Sequence, residues 1–291
     1  MTFAIKSISV NFAMQGGVSK TLSNKRISCT ITNAGGPSLG MAELIIYGMT
    51  LSDMNALSTV GNQIGMMKQN KIAIYAGDQD AASGSLPLVF QGTILVAWTD
   101  AQAQPEIGFR VQAFAGGYES VAPQTPITQQ GSVTVSSLFQ QIGQSIGWQV
   151  AIGQINTKVS NPYLPGTAME QVRRLAQMGG VSWAADLNTI AVVKPGQARS
   201  QGGAIMLSAQ TGMVGYPAFT QSSIIVKSMF NPSLKILGSI TVQSQLQPAN
   251  GTWIINNITH VIESQMPNGQ WFSTVVCNLL GAQPDTTGDS D

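Results

Sequence analysis

Charge is what this sequence has least of. Of its 291 residues, 9% are Asp, Glu, Lys or Arg, against roughly 25% in an ordinary soluble domain. The 14 Lys and Arg are offset by 13 Asp and Glu. Lys20, Lys25, Arg26 and the Arg173-Arg174 pair never gather into a basic run. Tight phosphate binding needs several clustered cations, so specific nucleic-acid recognition is not expected, while a neutral channel through which DNA slides stays compatible. His260 is the only histidine, which rules out a two-histidine metal site, and its neighbours Thr259 and Val261 place it in a strand as a structural hydrogen-bonding group. The only cysteines, Cys29 and Cys277, each sit in a β-rich run and read as small core residues, with a disulfide left open. Hydrophobic residues reach 43%, yet no apolar run approaches the ~20 residues of a membrane span. No phosphate-cradling GxGxxG or GxxxxGK[ST] loop occurs.

Gln, Ser, Thr and Asn supply the polarity instead. A surface with so little charge repels its neighbours weakly, which points to a chain packed against other subunits. Lys6 interrupts Phe3-Ala4-Ile5, and Ile8, Val10 and Phe12 then alternate as in a strand. No signal peptide is read there, and the expected site of synthesis and assembly is the cytoplasm.

Chemistry-bearing residues are dispersed. Glu43, Asp53, Asp100, Glu106, Glu119, Glu170, Asp186 and Glu263 are spread along the chain, whereas a glycosidase needs two carboxyl groups facing one cleft. Asp78-Gln79-Asp80-Ala81-Ala82-Ser83-Gly84 resembles an acidic calcium loop but lacks Gly at the sixth place and an acid at the twelfth. It reads as a polar hairpin. Met41, Met49, Met54, Met66 and Met67 read as core or interface filler. The expectation is no catalytic, metal or cofactor-binding residue, and no cofactor.

Strand-like runs fill the first 119 residues: Ile5 to Met14, Arg26 to Asn33, Ala42 to Tyr47, Lys71 to Ala76, Leu88 to Thr99 and Glu106 to Ala115. One helix interrupts them, with Thr50 and Asp53 as a capping box and Met54, Leu57, Val60 and Ile64 at helical spacing. Linker-like segments at 120–131 and 194–203 bracket a change of period. Val135, Leu138, Phe139, Ile142 and Ile146 mark one helix, ended by Gly147. Thr167 with Glu170 caps another, stopped by Gly179-Gly180, with Arg173 and Arg174 on its exposed side. A hairpin follows around Asp186-Leu187-Asn188. Residues 133–194 are expected to fold as a unit.

From Ile205 to Gly281 the chain reads as short strands, with Asn231 to Gly238 as a turn leading into a strand and Met266-Pro267-Asn268-Gly269 as a turn. The ordered set Gly212-Met213-Val214-Gly215-Tyr216-Pro217, Phe230-Asn231-Pro232-Ser233-Leu234 and Ile258-Thr259-His260-Val261 resembles the last barrel of phage baseplate hub proteins. These share a fold with the hub part of type VI secretion spikes. The resemblance implies a mainly β fold with an α/β insertion: two tail-tube-like β-barrels flanking a small helix–hairpin domain. Residues 1–119 are the first barrel, 120–203 the insertion with its linkers, 204–281 the second barrel and 282–291 an acidic flexible tail.

The implied function is structural: a homotrimeric hub in the virion baseplate. It joins the tail tube or a distal tail protein to a separate central spike, contacts surrounding baseplate proteins, and meets DNA only in transit. No membrane insertion is expected. Threefold symmetry multiplies each lumenal charge by three, so the expected pore is lined by neutral polar faces such as Ser28, Thr30 and Thr32, or Thr241, Gln243 and Gln245. Two other classes stay open. Trp148, Tyr163 and Trp183 in the insertion suit a carbohydrate-binding tail-tip module, although both Trp residues follow helix ends where burial is expected. A cell-wall hydrolase is the third class.

Overall fold

The computed structural model describes residues 5–59, 69–79, 85–102, 104–199 and 203–281. The sequence period sets the first half. Strands β1 (Lys6–Ala13), β2 (Ser19–Leu22), β3 (Ile27–Ala34) and β4 (Met41–Tyr47) precede helix α1 (Leu51–Leu57). Strands β5 (Lys71–Asp78), β6 (Leu88–Asp100) and β7 (Gly108–Phe114) follow it. Side chains alternate across a strand, and in β3 this buries Ile27, Cys29 and Ile31 while Ser28, Thr30 and Thr32 face outward. Thr50 caps α1 by accepting from the Asp53 N–H at 3.2 Å. The reciprocal half of the expected box does not form, because the Asp53 carboxylate is drawn to Lys20. Val60 and Ile64, expected on this helix, lie outside the described residues.

The middle segment contributes β8 (Ile127–Thr128), β9 (Ser132–Thr134), α2 (Val135–Ile146), β10 (Gln149–Ile152), β11 (Lys158–Ser160), β12 (Tyr163–Leu164), α3 (Ala168–Gly179), β13 (Ser182–Asp186) and β14 (Thr189–Val193). Gly147 ends α2 in the left-handed region (φ 71°), where a missing Cβ removes the steric cost. The capping box on α3 is complete, Thr167 and Glu170 each bonding the other's backbone N–H. Leu187 (φ 47°) and Asn188 (φ 56°) turn β13 into β14, as a two-residue hairpin with positive φ at both centres requires. β10 lies parallel to β14.

The last part holds β15 (Ile205–Ser208), β16 (Ala218–Phe219), β17 (Ser223–Met229), β18 (Ser239–Gln243), β19 (Gly251–Ser264) and β20 (Trp271–Leu279). As expected, residues 231–238 form turns that lead into a strand, β18, at Ser239. They form an irregular connector in which Leu234, Ile236 and Leu237 are buried. Leu237 takes φ 61°, a left-handed conformation that breaks the extended run before β18 begins at Ser239.

Both β regions join in one thirteen-stranded sheet ordered β16-β17-β20-β19-β3-β4-β7-β6-β5-β1-β2, with β15 and β18 branching from β19. The path is open, and among the described residues no ladder joins its end strands. Strand β19 is the spine. Its first residues pair with β18, and Asn257–Ser264 pair with β3. A bulge at Ile255/Asn257 marks the handover, where the Asn256 carbonyl accepts from Gly35 N–H at 3.0 Å. Bulges bend and twist a strand locally, and here the bend lets one strand serve two partners.

Three apolar cores form. The first belongs to β1–β7 and α1 but also takes Ile262 and Trp271 from the C-terminal strands. The second lies under α2 and α3. The third belongs to β15–β20 and the 231–238 connector, and it takes Ala184, Ala191 and Val193 from the hairpin. The middle segment therefore folds with a core of its own on one side and shares the C-terminal core on the other.

Candidate functional site

His260 is buried on β19. Its Nδ1 lies 2.8 Å from Ser273 Oγ, and Phe230 packs edge-on at 5.3 Å. Burial, then the nearby Lys235 cation, pushes its pKa down to about 4. Ser273 is fully buried and also accepts from the Asn231 N–H at 3.1 Å. A Ser–His pair without solvent access, whose imidazole resists protonation, is a strut between β19 and β20 and not a nucleophile with its base. Asp186 lies close by, accepting from Asn33 Nδ2 at 3.2 Å. Burial raises its pKa, while the cations of Lys235 and Arg199 pull it down.

Most of the other carboxylates are committed to separate partners. Glu106 forms a two-pronged pair with Arg26, which stacks 4.0 Å over Tyr47. Asp100 takes Arg110 Nε at 2.6 Å, Glu43 accepts from Gln112, and Glu263 accepts from Ser28 Oγ and Gln270 N–H. Of five clefts on the described residues, three carry a single carboxylate each (Glu106, Asp186 and Glu119) and two carry none. Asp80 to Gly84 of the acidic loop lie outside the described residues, and Asp78 is paired with Lys6. No group of three metal-ligating side chains occurs among the described residues. Cys29 and Cys277 are free and buried, and burial pushes the Cys277 thiol up to about 12. Trp148 and Trp183 are buried, and Tyr163 alone of the three insertion aromatics is exposed. No described helix is long and apolar enough to cross a membrane.

What the sheet builds instead is a continuous outward face. Register carries one row from Lys227 through Thr274, Thr259 and Thr32 to Met41. The next runs from Met229 through Phe272, Val261, Thr30 and Glu43 to Gln112. A third runs from Glu263 through Ser28, Ile45 and Arg110 to Trp98. These side chains are half-buried or exposed, and the face crosses from β17 to β6 without a gap. Lys227 and Arg110 are its cations, against Glu43, Glu263 and the neighbouring Asp100. Lys227 Nζ lies 4.3 Å over the Phe272 ring. Thr241 and Gln243, singled out with Ser28, Thr30 and Thr32, lie on the solvent side of β18. Gln245 lies beyond that strand and accepts from Tyr216 Oη at 2.9 Å. The contribution of Lys227, Phe272 and Thr274 was missed in the sequence, because alternation tells which side a residue faces but not which strand lies next to it.

The same architecture occurs in solved tail and secretion proteins. A 43 kDa tail protein of prophage MuSo2 from Shewanella oneidensis superposes with TM-score 0.60 at 12% identity, over 96% of this chain and 99% of that one. A tail protein from Neisseria meningitidis MC58 gives 0.59 at 8% identity, over 94% and 96%. A type VI secretion component of E. coli, described as structurally similar to the T4 tail proteins gp27 and gp5, gives 0.61 at 13% identity, over 95% and 80%. At such identities the likeness is one of fold alone. No curated protein matches the sequence. The family model for baseplate hub gp41 matches residues 7–276, and the chain belongs to that family.

Proposed function

We propose that this chain is a structural hub of the virion baseplate, working as a homotrimer that adapts a sixfold tail tube or distal tail protein to a threefold central spike. The observation that carries the reading is the uninterrupted outward face held together by the β19–β3 ladder. Each β region then acts as one tube-like module: residues 1–119 and 204–281, flanking an insertion at 120–203. Three chains would present six such modules, and a ring of six stacks on a sixfold tube while its threefold symmetry seats a spike. For the second module, the Val214 N–H donates to the Lys227 carbonyl and the Met229 N–H to the Gly212 carbonyl, at 2.8 and 2.7 Å. These bonds add residues 212–214 alongside β17, an extra pairing at the sheet edge that supports a barrel-like reading.

In this arrangement the Thr-rich face lines the channel. Its two cations and three carboxylates leave it near neutral, so threefold repetition creates no basic ring to hold DNA in transit. The insertion sits on the rim, towards surrounding baseplate proteins. The proposed role is structural, in keeping with the baseplate hub family. Native mass spectrometry of the full chain tests the assembly, with a trimer expected at micromolar concentration and a stable monomer overturning it. DNA binding tests the channel: weak retention is expected, and tight, salt-dependent binding by the trimer would overturn the assignment of this face.

A further inference from the structure

The three regions of the chain meet at one small polar cavity. About 20 Å³ of it is open to the centre of a water molecule, and Asn33, Asp186, Lys235 and His260 lie on its lining, with Gln91 and apolar walls such as Ile258. Asn33 belongs to β3, Asp186 to the β13–β14 hairpin, Lys235 to the 231–238 connector and His260 to β19. Register sets Asn33 opposite Ile258 and His260 opposite Ile31, so the two are diagonal neighbours on one face of the ladder, about 7–8 Å apart. Each of the four has bonding capacity left over. Asn33 Nδ2 donates to Asp186 at 3.2 Å, while Asn33 Oδ1 is buried with no partner among the described residues. Asp186 accepts that one side-chain bond, and Lys235 Nζ makes no hydrogen bond to a described residue. His260 Nδ1 is taken by Ser273 Oγ at 2.8 Å. That oxygen already accepts from the Asn231 N–H, so its own proton goes to Nδ1, which leaves the imidazole proton on Nε2.

We infer that one ordered water binds in this cavity and ties the three regions together, accepting from Lys235 Nζ and His260 Nε2 and donating to Asn33 Oδ1 and the Asp186 carboxylate. Two donors facing two acceptors match the bonding pattern of a single water. A buried water needs about 10–15 Å³ of such space and two to four polar partners, and the cavity meets both conditions. An ion fits less well, because the Lys235 cation and the Asp186 carboxylate offset each other and leave no net charge to select one. Left unpaired, each of these groups would carry the cost of its lost hydration. The water removes that cost where β3, the hairpin and the connector converge. This inference does not depend on the trimer or on the channel.

A high-resolution crystal structure of the full chain tests this directly. Water density should lie within hydrogen-bonding distance of at least three of the four named atoms. A cavity closed by direct contact among these side chains, or one holding an ion, would overturn the inference. A double-mutant cycle gives a second reading in solution. Asn33→Leu and His260→Phe each remove one partner of the water, and the lost Ser273 bond cancels in the cycle. Their effects on the unfolding constant should depart from additivity by roughly fivefold, as for groups in one hydrogen-bonded network. Additivity to within about twofold, the behaviour of independent sites, would mean that no water bridges them.

Discussion

The two β regions of this chain are built alike in strand order but not in how they fill their cores. The N-terminal region is sealed almost wholly by alternation: inward residues of β1 and β3–β7, with Met54 and Leu57 of α1. The C-terminal region has fewer long strands and is completed by pieces that are not its own. Leu234, Ile236 and Leu237 come from an irregular connector, and Ala184, Ala191 and Val193 come from the hairpin of the middle segment. Exchange the other way runs mainly through β19 and β20, which send Ile262 and Trp271 into the N-terminal core, with Phe230 packed against it. The lesson is that the insertion is a structural component of the C-terminal half, while β19 makes the two halves one sheet.

Substitutions that strike the borrowed residues break this comparison hardest. Val193→Asp places an unpaired carboxylate in the C-terminal core, at a cost of about 3–5 kcal/mol. Hydrogen exchange should show β17 and β18 losing protection before β4–β7, and equal loss in both halves would mean that the cores are not separable. Deleting residues 133–194 removes all three hairpin residues, so the C-terminal half should not survive it intact. Ile262→Ala probes the reverse loan. A cavity at this buried site costs ~2–5 kcal/mol, and although the residue sits on a C-terminal strand, the loss of protection should appear in β3 and β4.

Acid sharpens the comparison at the seam. His260 stays neutral in the folded chain down to about 4, whereas an unfolded imidazole takes its proton near 6.5. Between these values the unfolded state binds more protons, so stability falls as pH drops from about 6.5 to 4, by an amount on the order of 3 kcal/mol. Asp186 works in the opposite sense. Its raised pKa means that the folded state binds more protons just above the ordinary carboxylate range, so acidification relieves its burial. Urea melts at pH 7, 5.5 and 4.5 should show the histidine slope, and His260→Gln should flatten it.

Most elements were legible because each depends on local chemistry. The six N-terminal strands fall within about two residues of where alternation puts them, and Gly147, Thr167, Glu170 and Gly180 mark the ends of α2 and α3 as their capping roles require. Pairing was not legible. The pattern of Asn257–Ser264 would be the same against any neighbour, so the ladder to β3, and with it the continuous face, is invisible before the fold is known. Strand β2 was missed because only Leu22 in it is buried, too little for a period. Residues 231–238 were legible as a turn into a strand, but the left-handed turn at Leu237 was not, being a tertiary demand met by the Leu237 N–H donating to the Ile255 carbonyl at 2.9 Å. The committed partners of the carboxylates were likewise beyond the sequence, since Arg26 and Glu106 lie far apart in it.

The smallest effect expected is also the cleanest measure of how far the insertion acts alone. In Thr167→Ala the α3 capping box loses the side-chain oxygen that accepts from Glu170 N–H at 3.3 Å, which costs ~1 kcal/mol at a typical helix N-terminus. The buried face of α3, with Val172, Leu175 and Ala176, lies in the middle core and in neither β core. Exchange should therefore quicken in α3 and α2, while β13 and β14, pinned from behind by the C-terminal core through Ala184 and Ala191, should hold their protection. If β13 and β14 open together with α3, the hairpin takes its stability from the helices and the C-terminal half leans on the whole insertion. If they do not, the dividing line between the two regions runs through the insertion, between its helices and its hairpin.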